Sequence, residues 1–178
     1  LEDSMCSDGD FAKLGYQLGV PMGGDLSGRG DAQAPRFAVS ALADPGADDR
    51  PGAALQRIQI VKGWVDGAGA VHEKVFDVAG GDNGADVDTR TCERRGTGAQ
   101  SLCSVWSDPE FDASQGAFYY ARVLENPTCR WSTWDAIGAG LPLRSDLPAT
   151  LEERAWSSPI HYAPADRKYK RGFGSTSE

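Results

Sequence analysis

Two histidines, four cysteines and two acidic runs are the residues of this sequence whose types could do chemistry. Neither His72 nor His161 has a second His or Cys at a ligand spacing such as HxH or HExxH, so each reads as a structural imidazole rather than a metal ligand. Cys6, Cys92, Cys103 and Cys129 match no CxxC zinc pattern. An even, scattered set fits two disulfides and an oxidising compartment, periplasmic or extracellular; the alternative is four buried free thiols in a reducing one. Of the three possible pairings, Cys92–Cys103 would fasten the long Gly80 to Ser101 loop. Cys6–Cys129 would then anchor the N-terminal segment.

Asp82, Asp86, Asp88 and Glu93 imitate a calcium loop, but Gly84 occupies the third position and Val87 replaces the glycine of the sharp turn. A solvated acidic loop is the better reading. Asp108, Glu110 and Asp112 in "SDPEFD" could act as paired carboxylates on a glycoside, yet a Pro-containing run of this kind is first of all a surface turn. There is no GxSxG or GxxxxGK[ST] motif, and neither Gly67-Ala68-Gly69 nor Gly96-Thr97-Gly98 opens a helix as a nucleotide loop must. Gly28 to Asp31 spells an adhesion-like GRGD, which reads as an ordinary loop. Trp106, Trp131, Trp134 and Trp156, with Tyr119 and Tyr120, could stack on sugars; filling a core or an interface is the commoner use of such side chains.

The 178 residues are expected to form one domain with its own core. With 26 acidic against 18 basic residues the formal charge is −8, which disfavours phosphate backbones and anionic lipid. No apolar run approaches the ~20 residues of a membrane span, so neither nucleic-acid binding nor membrane insertion is expected. The first residue is Leu1 rather than Met, as in a processed, engineered or partial chain.

The elements that must position these groups centre on Leu55 to Ala79, two strands folded back through Asp66-Gly67-Ala68-Gly69. Ile58, Ile60 and Trp64 share one face of the first strand, and Val61 and Val65 the other, beside Arg57 and Gln59. Phe37, Val39 and Ala41 predict a strand, and "GAFYYARVLE" another, with Phe118, Tyr120 and Leu124 opposite Tyr119, Ala121 and Val123. Short helices are expected over Asp10 to Gly19, from Thr133 to Ile137, and from a Thr150/Glu153 capping box to Trp156. A last strand is expected over Pro159 to Tyr162. The fold class is therefore mainly β, an antiparallel β-sandwich-like domain with short peripheral helices and long loops. Residues 1–35 form a helix and Gly-rich loop packed on it, 36–163 the β-rich body and 164–178 a polar, poorly ordered tail.

Four segments, "GYQLGVPMGGDL", "LQRIQIVKGWVD…EKVFDVA", "AFYYARVLENPTCRWSTWDA" and "ERAWSSPIHY", resemble in order and spacing the C-terminal portion of the bacterial "domain of unknown function 3604" proteins. The resemblance covers Phe11 to Tyr162, with His161 where a Trp is expected. It implies a longer parent whose N-terminal part is a polymerase-and-histidinol-phosphatase-like metallohydrolase barrel. The partner is then that catalytic domain of the same precursor, and the divalent metal is held there; no catalytic residue, cofactor or metal ligand is assigned in this chain. The chain would be an accessory domain, inactive alone, or else an independent sandwich-type binding module with carbohydrate as ligand. The loop Gly19 to Leu26, with Met22, Gly23, Gly24 and Asp25, is proposed to lie at the seam or substrate entrance, flanked by Trp131 and Trp134.

Overall fold

The computed structural model describes residues 1–7, 9–27, 33–48 and 50–165. The GRGD run falls outside them, as does the tail beyond residue 165. A 3-10 turn at Asp3–Ser7 leads into helix α1 (Phe11–Leu18), strand β1 (Asp25–Ser27) and strand β2 (Arg36–Leu42). A minor pair, β3 (Gly46–Ala47) and β4 (Arg50–Pro51), precedes the long hairpin β5 (Leu55–Val65) and β6 (Val71–Gly80). A second minor pair, β7 (Asp86–Val87) and β8 (Arg94–Arg95), is followed by β9 (Ser101–Ser107) and β10 (Ala117–Glu125). Strand β11 (Thr128–Cys129), helix α2 (Trp131–Ala139), β12 (Thr150–Leu151), β13 (Arg154–Trp156) and β14 (Ile160–Ala163) complete the order.

Apolar residues on both faces of β5 require cover on both sides and partners on both edges. It lies between β10 and β6 in a six-stranded sheet ordered β1-β14-β10-β5-β6, with β13 also on β10. Register partners share a face, so Ile58, Ile60, Lys62 and Trp64 join Ala117, Tyr119, Ala121 and Val123 on the inner face. The β2–β9 pair packs against that face. Phe37 meets Tyr119 at 4.5 Å between ring centroids and Trp106 meets Phe76 at 4.9 Å, a core that Ile60 and Tyr162 complete. The architecture is mainly β and sandwich-like, as the alternating strands predict.

Turn chemistry sets the hairpin tip. Asp66 Oδ1 accepts the N–H of Ala68 and of Ala70, both at 2.9 Å, while Oδ2 meets His72 Nε2 at 2.7 Å. Trp64 stacks on the His72 ring, centroids 5.1 Å apart. The His72 contact, with the two backbone donors, holds the Asp66 carboxyl below the usual carboxylate range. A carboxyl depressed on folding stabilises above its unfolded pKa and loses that contribution as pH falls through the folded value. The tip amides are therefore expected to lose hydrogen-exchange protection on acidification through and below the ordinary Asp range, and Asp66→Asn should abolish that pH step.

Two elements differ from expectation. The Thr150 to Trp156 segment is strand, not helix: β12 pairs with β11, and β13 pairs with Arg122 to Leu124 of β10. The Glu125 N–H also donates to the Glu153 carbonyl at 3.0 Å. A single capped turn carries an unfavourable nucleus, and the open edge of β10 offers these backbone groups long-range partners instead. Helix α2 runs from Trp131 to Ala139, longer than the turn expected, and stops at Gly140 in the left-handed region, φ 66°.

The cysteines are all bonded, but as Cys6–Cys103 and Cys92–Cys129. The expected Cys92–Cys103 bond fails because β9 carries Cys103 away, opposite Ser40 of β2 and beside the N-terminal 3-10 turn. The β7–β8 turn instead sets Cys92 against Val87 and Cys129. So the Gly80 to Ser101 loop is tied down by one of its cysteines, though to the chain after β10.

Candidate functional site

Helix α1 and the loop after it lie over a cleft of about 990 Å³ whose walls include Phe11, Met22, Phe37, Ile60, Tyr119 and Ile160. The loop is built by its glycines. Gly23 sits at φ 87°, and its N–H donates to the Pro159 carbonyl at 3.0 Å. The Gly24 carbonyl accepts the His161 N–H at 3.1 Å, and a Cβ on Gly24 would stand 2.3 Å from Val20 Cγ1. These two glycines are thus required by the loop itself, and a bulky residue at Gly24 would strain it. Met22, by contrast, is 64% exposed on the rim. Asp25 opens β1, which pairs in parallel with β14.

Trp131 and Trp134 lie elsewhere. They belong to α2, which follows the C-terminal end of β10 and packs through Ile137 on Val87, Cys92 and Cys129. Loop 19–24 attaches through β14 to the N-terminal end of the same strand. The two groups that the sequence placed side by side flank opposite ends of β10. Of the other aromatic candidates, Tyr119 is core at 1% exposure, Trp106 packs against it, and Trp156 is exposed.

The strongest polar cluster stands behind the cleft wall. Lys62 Nζ lies 2.5 Å from Asp108 Oδ2, with side-chain exposures of 6% and 0%. Tyr119 donates its hydroxyl to the same oxygen at 2.8 Å, and the Glu110 N–H donates to Asp108 Oδ1 at 2.9 Å. Lys62 also donates to the Glu110 carbonyl at 2.8 Å and sits 5.0 Å from the Trp64 ring centroid. Burial, then the Asp108 hydrogen bond, push the Tyr119 hydroxyl far above its ordinary range, so it stays a donor. Asp108 is therefore no surface-turn residue, although Glu110 and Asp112 are exposed. The only hint in the sequence was Lys62 itself, a charge set inside "IQIVKGW" where the strand pattern demands burial. Its partners come from segments that only the fold brings together.

The acidic loop engages arginines rather than a cation. Asp88 accepts from Arg90 at 2.9 Å and Arg95 at 2.7 Å, and these contacts, with the Arg90 N–H, hold its carboxyl far below the usual range. Among the described residues no three His, Cys, Asp or Glu side chains converge as a metal site would require. His72 and His161 register on opposite faces of the sheet, and every cysteine is bonded. Among the described residues no ligand set fits a divalent metal, which the resemblance assigns to the N-terminal barrel.

Among the described residues no helix is long and apolar enough to cross a membrane. Comparison with known proteins returned no match among curated proteins and none among solved structures. The chain does match the family described as "Protein of unknown function (DUF3604)", over residues 1–164 of 178. The chain belongs to the DUF3604 family.

Proposed function

We propose that this chain is an accessory β-domain that docks on a metal-dependent hydrolase barrel of the same polypeptide and shapes its entrance. The observation that carries the reading is the unfilled apolar cleft beneath α1. No residue of α1 is buried, and Tyr16 and Leu18, 74% and 64% exposed, stand on the rim beside Met22. Exposed apolar surface gathered around a concavity is the usual mark of an interaction site. The barrel would carry the metal and the catalytic groups. The two disulfides favour a periplasmic or extracellular setting for both parts.

Met22 is the position that tests this, because its side chain is exposed and the neighbouring glycines are not free to change. Met22→Lys is expected to leave the melting temperature of this chain within about 1–2 °C. Its affinity for a separately expressed barrel from the parent polypeptide should fall by about tenfold or more. Unchanged affinity, or no association between barrel and wild-type chain, would overturn the proposal.

A further inference from the structure

The outer face of the six-stranded sheet, on the side away from the core, is organised in rows. Register places Asp25, His161, Phe118, Gly63 and Glu73 across one row. The next holds Tyr120, Val61 and Val75, and the third Trp156, Arg122, Gln59 and Asp77. Successive rows are two residues, or about 6.7 Å, apart along β10. An apolar strip is thus bordered on both sides by polar side chains.

The aromatic members lie as a platform. The Phe118 and Tyr120 ring planes are parallel to within 8°, their centroids 6.4 Å apart. Phe118 extends over the neighbouring strand, since a Cβ at Gly63 would meet its ring at 2.2 Å. Trp156, 61% exposed, stands at the head of the third row. Val61 beneath is fully buried.

The polar border is fixed in place. Arg122 Nε donates to Gln59 Oε1 at 2.8 Å, and Gln59 Nε2 donates to Asp77 Oδ1 at 2.7 Å. Arg57 lies 3.6 Å from the other Asp77 oxygen. These planar groups retain further hydrogen-bonding capacity, two terminal amines on the guanidinium and remaining lone pairs on the carboxylate.

We propose that this outer face binds a neutral saccharide chain, stacking its C–H faces on Phe118, Tyr120 and Trp156 and bonding its hydroxyls to Arg122 and Asp77, which the buried Gln59 amide holds in place. A pyranose offers an apolar flank and a rim of vicinal hydroxyls, which is the complement of a ring platform bordered by planar donors and acceptors. A hydrophobic protein partner fits less well, because it would desolvate Asp77, Glu73 and Arg122 without partners for each. A polyanion is disfavoured by Asp25, Glu73 and Asp77 on the face and by the net charge of −8. Tyr120 also lines the cleft beneath α1, whereas Trp156, Phe118, Arg122 and Asp77 do not, so the inference is carried by residues outside the docking proposal.

The test is native electrophoresis of the 178-residue chain through gels containing β-glucan, xylan, galactomannan or dextran, followed by calorimetry with the matching hexasaccharide. At least one polysaccharide is expected to retard the chain. Trp156→Ala and Tyr120→Ala should each weaken binding by about tenfold or more. Trp156→Ala truncates an exposed side chain, so it carries the test even where Tyr120→Ala fails to fold; near-ultraviolet dichroism checks both. The proposal is overturned if no polysaccharide retards the chain, or if retardation survives Trp156→Ala in full. It is equally overturned if sedimentation shows a self-associated chain that Trp156→Ala makes monomeric without any saccharide effect.

Discussion

Asp108→Ala is expected to lower the unfolding free energy by about 3–5 kcal/mol, measured by urea denaturation at neutral pH. The substitution leaves the Lys62 ammonium buried without its counter-ion and removes the acceptor of the Tyr119 hydroxyl. Neither group can turn to water: Tyr119 is 1% exposed, and Lys62 is enclosed between the Trp64 ring and the Glu110 carbonyl. A domain's whole stability is about 5–15 kcal/mol, so the loss consumes a large share of it. The double variant Lys62→Met with Asp108→Leu removes both charges together. It should recover much of the loss, because a buried ion pair adds little over a well-packed apolar pair once its desolvation is counted. If the single change costs less than about 1 kcal/mol, or the double change costs the sum of the two singles, the pair does not hold the wall in the way described.

Much of the sheet was legible because its strands are strongly patterned. The alternation in Leu55 to Val65 and in Ala117 to Glu125 assigns most side chains to a face, and the Asp66-Gly67 turn fixes the hairpin partner of the first. The capping-box spacing predicts a helix over Thr150 to Trp156 that does not form, because local capping signals say nothing of an open strand edge far away in sequence. The candidate site was legible only in parts. The glycines around Met22 and Asp25 mark an unusual loop in the sequence, and the aromatic residues stand out by their number. That Trp131 and Trp134 lie at the far end of β10 from that loop depends on topology, which side-chain types do not encode. The Lys62, Asp108 and Tyr119 cluster joins β5, the turn after β9 and β10, and the outer aromatic face joins β10 to β13. Each is a product of register between strands, not of spacing along one of them.

The same distinction governs the disulfides, where the second large effect is expected. Replacing Cys6 and Cys103 by serine opens a loop with a sequence separation of 97, against 37 for Cys92 and Cys129. Chain-entropy arguments put the loss at about 4–5 kcal/mol for the longer loop and about 3–4 kcal/mol for the shorter. The structural consequences differ more than the energies. Without Cys6–Cys103, the N-terminal 3-10 turn is retained by Met5, which is buried, and by the pairing of Arg36 with Asp3. Release of this segment would loosen the α1 wall of the cleft, so proteolysis should begin ahead of β2. Without Cys92–Cys129, the contact of the β7–β8 turn with α2 weakens, and Cys92 loses the bond that helps hold it at φ 58°, a conformation unusual outside glycine. Proteolysis should then begin in the Gly80 to Ser101 segment, with the cleft intact. Peptide mapping without reduction should recover Cys6 joined to Cys103 and Cys92 joined to Cys129; a Cys92–Cys103 peptide would contradict the course of β9 along β2 on which both expectations rest.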